Sequence, residues 1–359
     1  MLEMSMMKLF LLLIVSFASV VWAQTPMIYD DDGPVMDVGA VTNYGVFYKM
    51  VDHGWIKPLA TIADSSNALS APGIYTLAYY CHHTEIPIGA NKQNTPDSAL
   101  CAKLSCNGST WNKAWVAKFN PRVGDTRANY PNCGRLYRHI LADQRDHSVV
   151  IVETGFATCL MQALRSPADS SVPLTGEQLM RRKVKKLVIM GGDYPTGAEW
   201  NFQSDAVDYS ALFSTWTLQN GYSPIYLVGW SIGNIACSGA PAKASIDTNP
   251  IRNAVASAAQ ADAGCVTGGQ RPVWDQLAIM YGAWGARHAG TTYFTLSAGG
   301  TNTVNAQDGT NSWSSANNSG HYYLIAKSTP EGFATFLDGY AHKGLLAESP
   351  SGAPGGTGK

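Results

Sequence analysis

The chain has 359 residues, 45% of them hydrophobic and only 14% charged, with a formal net charge of -1. This balance excludes attraction to nucleic acid or to an anionic membrane surface through bulk charge, and the length suffices for one large core. With 35 Gly, 10 Trp and 17 Tyr, the composition suits an extracellular globular protein better than a cytosolic helical one. Residues 1–23 read as a signal peptide: Lys8 supplies the charged region and Leu9 to Val21 the apolar run. Val21-Trp22-Ala23 then places small residues before the cleavage point at Gln24. The competing reading, a membrane anchor, needs about 20 apolar residues, and this run is shorter. Secretion with no membrane association after cleavage is the expectation.

Strand-like runs and helical stretches then alternate. Met27–Asp32 reads as a strand, Val35–Trp55 as a helix, Leu59–Ala63 as a strand and Ile74–His82 as a helix. The polar segment 91–131 reads as an irregular surface insertion. Ser148–Glu153 is an apolar strand followed by a helix over Phe156–Leu164, and Lys186–Met190 is another strand. A helix over Ala206–Gln219, a strand over Pro224–Val228, and helices over Ile251–Ala261 and Trp274–Gly285 follow. Residues 295–325, rich in Gly, Ser, Asn and aromatics, suggest an antiparallel excursion, and the tail 349–359 reads as disordered. Continuous apolar strands between helices predict an α/β fold: a doubly wound, mainly parallel, Rossmann-like sheet with helices on both faces, as one domain over residues 24–348.

All seven cysteines follow the expected cleavage point. An oxidising compartment favours disulfides, and the odd count leaves at least one out. Cys237–Cys265 is one plausible pair and a second falls among Cys101, Cys106 and Cys133. Cys159, in an apolar helical stretch, is the expected free thiol. The sequons at Asn107 and Asn317 suggest a secreted glycoprotein.

The chemistry concentrates at the end of the first strand. Asp30, Asp31 and Asp32 precede a Gly33-Pro34 turn, and Asp37 lies in the first turn of the next helix. Ligands of open α/β sheets bind at the carboxyl ends of strands. Crowded carboxylates repel unless something positive neutralises them, and a hard cation with oxygen ligands does so. The plainer reading is an acidic loop steadied by a helix N-terminus.

The run Ile28-Tyr-Asp30-Asp-Asp32-Gly-Pro-Val-Met-Asp37 resembles the opening D-x-D-P-G-x-D-D motif of the inosine-uridine-preferring nucleoside hydrolases. Three further stretches resemble that family in order. Glu153-Thr-Gly-Phe-Ala-Thr158 is similar to its T-G-x-L-T-N. Met190-Gly-Gly192 with Ala198-Glu-Trp-Asn201 is similar to its M-G-G and A-E-[FW]-N. Trp274-Asp275-Gln-Leu-Ala278 is similar to its [HW]-D-x-x-A. The resemblance implies a calcium ion held by Asp32, Asp37, Asp275 and the Thr154 carbonyl. It implies Asp32 as general base toward water, and ribose contacts from Glu199, Asn201 and, more weakly, Asp64. It also implies Trp274 as an aromatic surface for the leaving base, as in the purine-preferring branch. Standing alone, Asp275 would be a helix cap, Glu199 and Asn201 a solvated loop, and Trp274 a core residue. The implied reaction is hydrolysis of the N-glycosidic bond of a nucleoside or related riboside, with a small molecule as partner and homo-oligomerisation left open.

Three departures stand out: Met36 replaces the first Asp of the D-D pair, Gly33-Pro34 inverts Pro-Gly, and Cys159 replaces the Asn of L-T-N. Losing the carboxylate at Met36 removes a charged acceptor worth about 1.5–3 kcal/mol to a sugar hydroxyl. A binding protein that keeps the metal and a sugar-like ligand but not turnover is therefore the main rival. A haloacid-dehalogenase-type phosphatase, suggested by Asp30-x-Asp32-Gly33, leaves the other three motifs unexplained.

Overall fold

The computed structural model describes residues 24–34, 38–94, 110–239, 248–257, 265 and 271–342. The signal-peptide segment, Met36, Asp37, Cys101, Cys106, Asn107 and the tail lie outside them. In chain order, β1 (Thr25–Asp31) is followed by α1 (Val38–Asp52), β2 (Ile56–Ala63), α2 (Ser70–Tyr80) and β3 (Ile88–Ala90). Then come α3 (Thr110–Phe119), α4 (Cys133–Ala142), β4 (Val149–Glu153), α5 (Thr158–Leu164) and α6 (Gly176–Lys183). Next are β5 (Val184–Met190), β6 (Thr196–Ala198), α7 (Trp200–Ser204), α8 (Ala206–Thr215), β7 (Ile225–Val228) and α9 (Trp230–Gly233). The short β8 (Cys237–Ser238), α10 (Pro250–Ser257), β9 (Arg271–Pro272) and α11 (Trp274–Trp284) precede a β-rich end. That end comprises β10 (Arg287–His288), β11 (Thr291–Thr292), β12 (Phe294–Leu296), β13 (Thr301–Val304), β14 (Thr310–Ser314) and β15 (His321–Ala326), then α12 (Pro330–Phe336).

The central sheet has eight strands in the order β12-β15-β7-β5-β4-β1-β2-β3. Every pairing is parallel except β12 with β15. The wholly buried run VVIVE of β4 shows why: both faces are covered, so apolar residues need not alternate with polar ones. On one face Val41, Tyr44 and Phe47 of α1, Leu77 of α2 and Leu277 of α11 form one buried cluster. On the other, Tyr137 and Leu141 of α4, Leu160 of α5, Leu179 of α6 and Leu212 of α8 form the second. The expected antiparallel excursion is the three-stranded sheet β13-β14-β6, although β15 leaves it to join the central sheet.

Two expectations need correction. The segment 91–131 is not wholly irregular at the surface: α3 buries Trp115 and Val116, and Trp115 Nε1 donates to the Pro250 carbonyl at 2.9 Å. Cys159 is not the free thiol. It forms a disulfide with Cys133, both fully buried, so the expected pairing of Cys133 with Cys101 or Cys106 is also corrected, and Cys81 is the free cysteine among the described residues. Burial in an apolar helix made Cys159 look like a small hydrophobe, but its partner comes from another helix. The Cys237–Cys265 bond is present as expected.

One local contact carries a pH prediction. His83 Nε2 lies 2.9 Å from Asp52 Oδ1 at the end of α1, its Nδ1 lies 3.3 Å from Glu85 Oε1, and its ring stacks on Tyr48. The Asp52 hydrogen bond raises the His83 pKa; burial pushes the Asp52 pKa up, but the His83 and Lys49 hydrogen bonds outweigh it and leave it lowered. Asp52 therefore contributes stability above its unfolded pKa. His83 contributes below its own, and that contribution is lost as pH rises through the raised folded value. The melting difference between the native protein and His83→Ala should be largest in the mildly acidic window and shrink toward pH 8. A constant difference would show that packing on Tyr48 is the whole effect.

Candidate active site

The carboxyl ends of β1, β4 and β5 and the start of α11 converge. Gly33, at φ +95°, turns the chain after β1, its amide donating to Asp31 Oδ1 at 2.7 Å. A Cβ there would lie 2.7 Å from Ser70 Oγ, so the inverted Gly-Pro order puts glycine where no side chain fits. Ser70 Oγ in turn donates to the Asp32 carbonyl. Beside it, Gly155 approaches so closely that a Cβ would meet the Asp32 amide at 2.4 Å and the Asp32 Cβ at 2.9 Å. Thr154 and Asp32 are thus held together at neighbouring strand ends, both buried.

The three consecutive acids have different surroundings. Asp31 accepts from Tyr29 Oη at 2.8 Å and Thr154 Oγ1 at 3.0 Å, fixing the β1–β4 junction. Asp30, fully buried, accepts from Tyr137 Oη of α4 at 2.6 Å. Its Oδ1 and the Oδ1 of Asp64 are buried without a hydrogen-bond partner. Burial, then the neighbouring charge, pushes both pKa values up. The other Asp64 oxygen accepts from the Phe156 amide at 2.9 Å. Asp64 is therefore turned inward, toward Asp30 and the loop after β4.

Glu199 caps α7. Its carboxylate accepts from the amides of Asn201 (2.8 Å), Gly192 (3.0 Å) and Phe202 (3.2 Å), while burial raises its pKa to about 7. Asn201 Nδ2 donates to the Thr154 carbonyl at 3.3 Å and the Met190 carbonyl at 3.1 Å. Asp275 lies in the first turn of α11, whose cap, Val273, makes no side-chain cap bond. Asn43 Nδ2 of α1 donates to Asp275 Oδ2 at 2.5 Å, and the charge of Asp275 contributes to raising the Tyr29 pKa after burial and Asp31. Trp274 is half-buried and stacks on Trp230, ring centroids 4.3 Å apart.

Asp32, Thr154, Asp64, Asn201 and Glu199 are thus linked at the strand ends, and Asp275 and Trp274 open the neighbouring helix. The Thr154 carbonyl, bonded by Asn201, and the Asp275 carboxylate, bonded by Asn43, are hard oxygen atoms of the kind calcium takes. Among the described residues no group of three His, Cys, Asp or Glu side chains is placed to hold a metal ion; Asp37, the third implied carboxylate, lies outside them. Reading the sequence missed Asn43, Trp230 and Tyr137. Of these only the Thr42-Asn43 polar pair within the otherwise uncharged run 38–48 gave a local signal. A groove of about 600 Å³ lies elsewhere, between α4 and α5, lined by Arg135, Arg138, Gln162 and Arg165. Asp169 and Asp208 pair with Arg138 and Arg165, so the groove holds largely satisfied polar groups away from the strand ends described above.

No protein-family model and no curated protein matches the chain. Among solved structures it is similar to a plant nucleoside hydrolase, with a TM-score of 0.62 and 13% identity over 90% of this chain and 99% of that one. It is also similar to the effector protein XOO4466 (TM-score 0.64, 14% identity, 90% and 94% coverage). The type III effector protein XopQ, in its complex with adenosine diphosphate ribose, gives a TM-score of 0.61 at 14% identity, with 90% and 94% coverage. The order of the strands, the motifs at their ends and these similarities agree: the chain has the nucleoside hydrolase fold, in a divergent form.

Proposed function

We propose that the protein is a secreted, calcium-dependent hydrolase of N-glycosidic bonds that converts nucleosides, with a lean toward purines, to ribose and free base. The observation that carries this reading is the close approach of Gly155 to Asp32, with Asn201 bonded to the carbonyl of Thr154. It brings the residues of three separate motifs to one place. Asp32, Asp275, the Thr154 carbonyl and Asp37 would hold the ion, which when bound supplies a positive charge to water and to sugar hydroxyls. Asp32 takes the proton from the attacking water as that oxygen adds to the anomeric carbon and the bond from that carbon to the base nitrogen breaks, the departing nitrogen taking a proton from solvent. Glu199 acts here by organising the loop that carries Asn201, because its carboxylate is engaged by three backbone amides. Two disulfides support an oxidising compartment, and no helix among the described residues is long and apolar enough to cross a membrane.

The second reading is a binding protein for a metal and a ribose-containing ligand, with adenosine diphosphate ribose as a candidate because an effector of this fold holds it. The substitution at Met36 and the inward turn of Asp64 favour it, since both remove acceptors from a sugar. A nucleoside panel read by reducing-sugar release, with and without a calcium chelator, and repeated by calorimetry, separates them. Chelator-sensitive ribose release supports the hydrolase. Binding without release supports the second reading, and neither binding nor release removes both.

Trp274→Ala tests the leaving-base side. Loss of base stacking should cost about 1–3 kcal/mol with purine nucleosides and clearly less with a nitrophenyl riboside, whose leaving group is already good. Equal losses with both substrates, together with a lower melting temperature, would make Trp274 a packing residue only.

A further inference from the structure

Trp230 opens α9 directly after β7, as Trp274 opens α11. The two half-buried indoles lie in an offset stack, with 22° between their planes. The contact is not a chance meeting of two rings. Trp274 Nε1 donates to the Trp230 carbonyl at 3.1 Å, and the Val273 amide donates to the Gly233 carbonyl at 3.0 Å. Gly233 abuts the edge of the Trp274 ring, where a Cβ would fall 1.9 Å from Cδ1. Trp230 is itself anchored, its amide donating to the Gly192 carbonyl at 2.8 Å, while the Gly192 amide donates to Glu199. A continuous hydrogen-bonded path therefore runs from Glu199 through Gly192 and Trp230 to Trp274.

We propose that Trp230 is a positioning and specificity-determining residue: it fixes the plane of Trp274, and the pair forms a rigid double-indole plate suited to a fused bicyclic base rather than a single ring. This rests on the reading that Trp274 meets the leaving base. The physical reason is preorganisation. The Trp274 N–H is committed, one ring edge is closed by backbone and one face is covered by Trp230, so the ring has little freedom left to lose when a ligand stacks on it. A purine covers more of such a plate than a pyrimidine, and stacking scales with that overlap.

The test is calorimetric titration of adenine and uracil, with tryptophan fluorescence recorded in parallel, on the native protein, Trp230→Phe and Trp230→Ala. Adenine should bind about tenfold or more tightly than uracil to the native protein. Trp230→Ala should weaken adenine by about tenfold and uracil by less than about threefold, and Trp230→Phe, which keeps a ring in the stack, should restore most of the difference. The exciton signature of paired indoles in circular dichroism should disappear in both variants. A purely structural role would weaken both bases alike and lower the melting temperature. That result, or adenine binding unchanged in both variants, overturns the proposal. Free bases bind without any bond being cleaved, so the outcome is separate from that of the hydrolase reading: a protein that stacks adenine as described but releases no ribose loses only the latter.

Discussion

Asp32→Asn is expected to lower turnover by about a hundredfold to ten-thousandfold, the range of a positioned general base, and to weaken calcium binding in the same protein. Asparagine keeps the shape, so the contacts around Gly155 and Ser70 survive; what goes is the charge and the ability to take a proton. Asp275→Ala should lose metal as well. Asn43 Nδ2 would then face no carboxylate, and Asn43→Ala should give a milder version of the same defect because Asp275 keeps its charge but loses its orienting bond. Equilibrium dialysis of calcium beside steady-state rates reads both effects. Full activity in either Asp32→Asn or Asp275→Ala would remove the site as drawn, and one equivalent of zinc with no calcium in the purified native protein would remove the ion.

Opening the Cys133–Cys159 bond is expected to destabilise the chain by about 2–5 kcal/mol, the usual range for a native disulfide. The bond joins the first turn of α4 to the first turn of α5 across 26 residues, with Cα atoms 5.6 Å apart, and both cysteines are buried. A serine at either position would remove the cross-link and leave a lone buried thiol opposite. One helix turn along from Cys133, Tyr137 donates to Asp30 beneath the candidate site, so loosening α4 reaches the acid pair directly. Cys133→Ser should lower the melting temperature by several degrees and raise the KM of any cleaved nucleoside. Melting curves of native protein and variant settle the first point. Indistinguishable curves would show that α4 and α5 hold each other without the cross-link.

How much of this was legible in the sequence follows the distance over which each feature is decided. The strands at Leu59–Ala63, Ser148–Glu153 and Lys186–Met190 were readable because unbroken apolar runs between helices leave few alternatives, and β2, β4 and β5 stand there. Boundaries moved where one residue decides them. The helix expected from Ile74 begins at Ser70, and the one expected from Val35 is described from Val38. The placement of Trp115 depends on Pro250, and the partner of Cys159 on a helix 26 residues earlier, so neither could be read locally. The site divides in the same way. The motif residues around Asp30–Asp32, Thr154 and Met190–Gly192 fall at the ends of parallel strands, whereas Glu199–Asn201 and Trp274–Asp275 open helices. Yet the capping of α7 by Glu199, the inward turn of Asp64 and the bond of Asn43 to Asp275 are tertiary facts, and they change what each side chain is free to do.

The sheet order has a consequence for how the protein comes into being. Asp32 emerges early in synthesis, Thr154 near the middle and Asp275 late, and they stand just after β1, just after β4 and in the first turn of α11. A nascent chain that ends before α11 carries the acids of β1 without the group that faces them. The last described strand of the sheet, β15, follows later still, and it is flanked by β12 as an antiparallel edge. If Asp275 holds the ion as proposed, ion binding needs the chain at least through α11. Ion uptake during refolding should therefore track completion of the whole sheet, with no early phase from the N-terminal half.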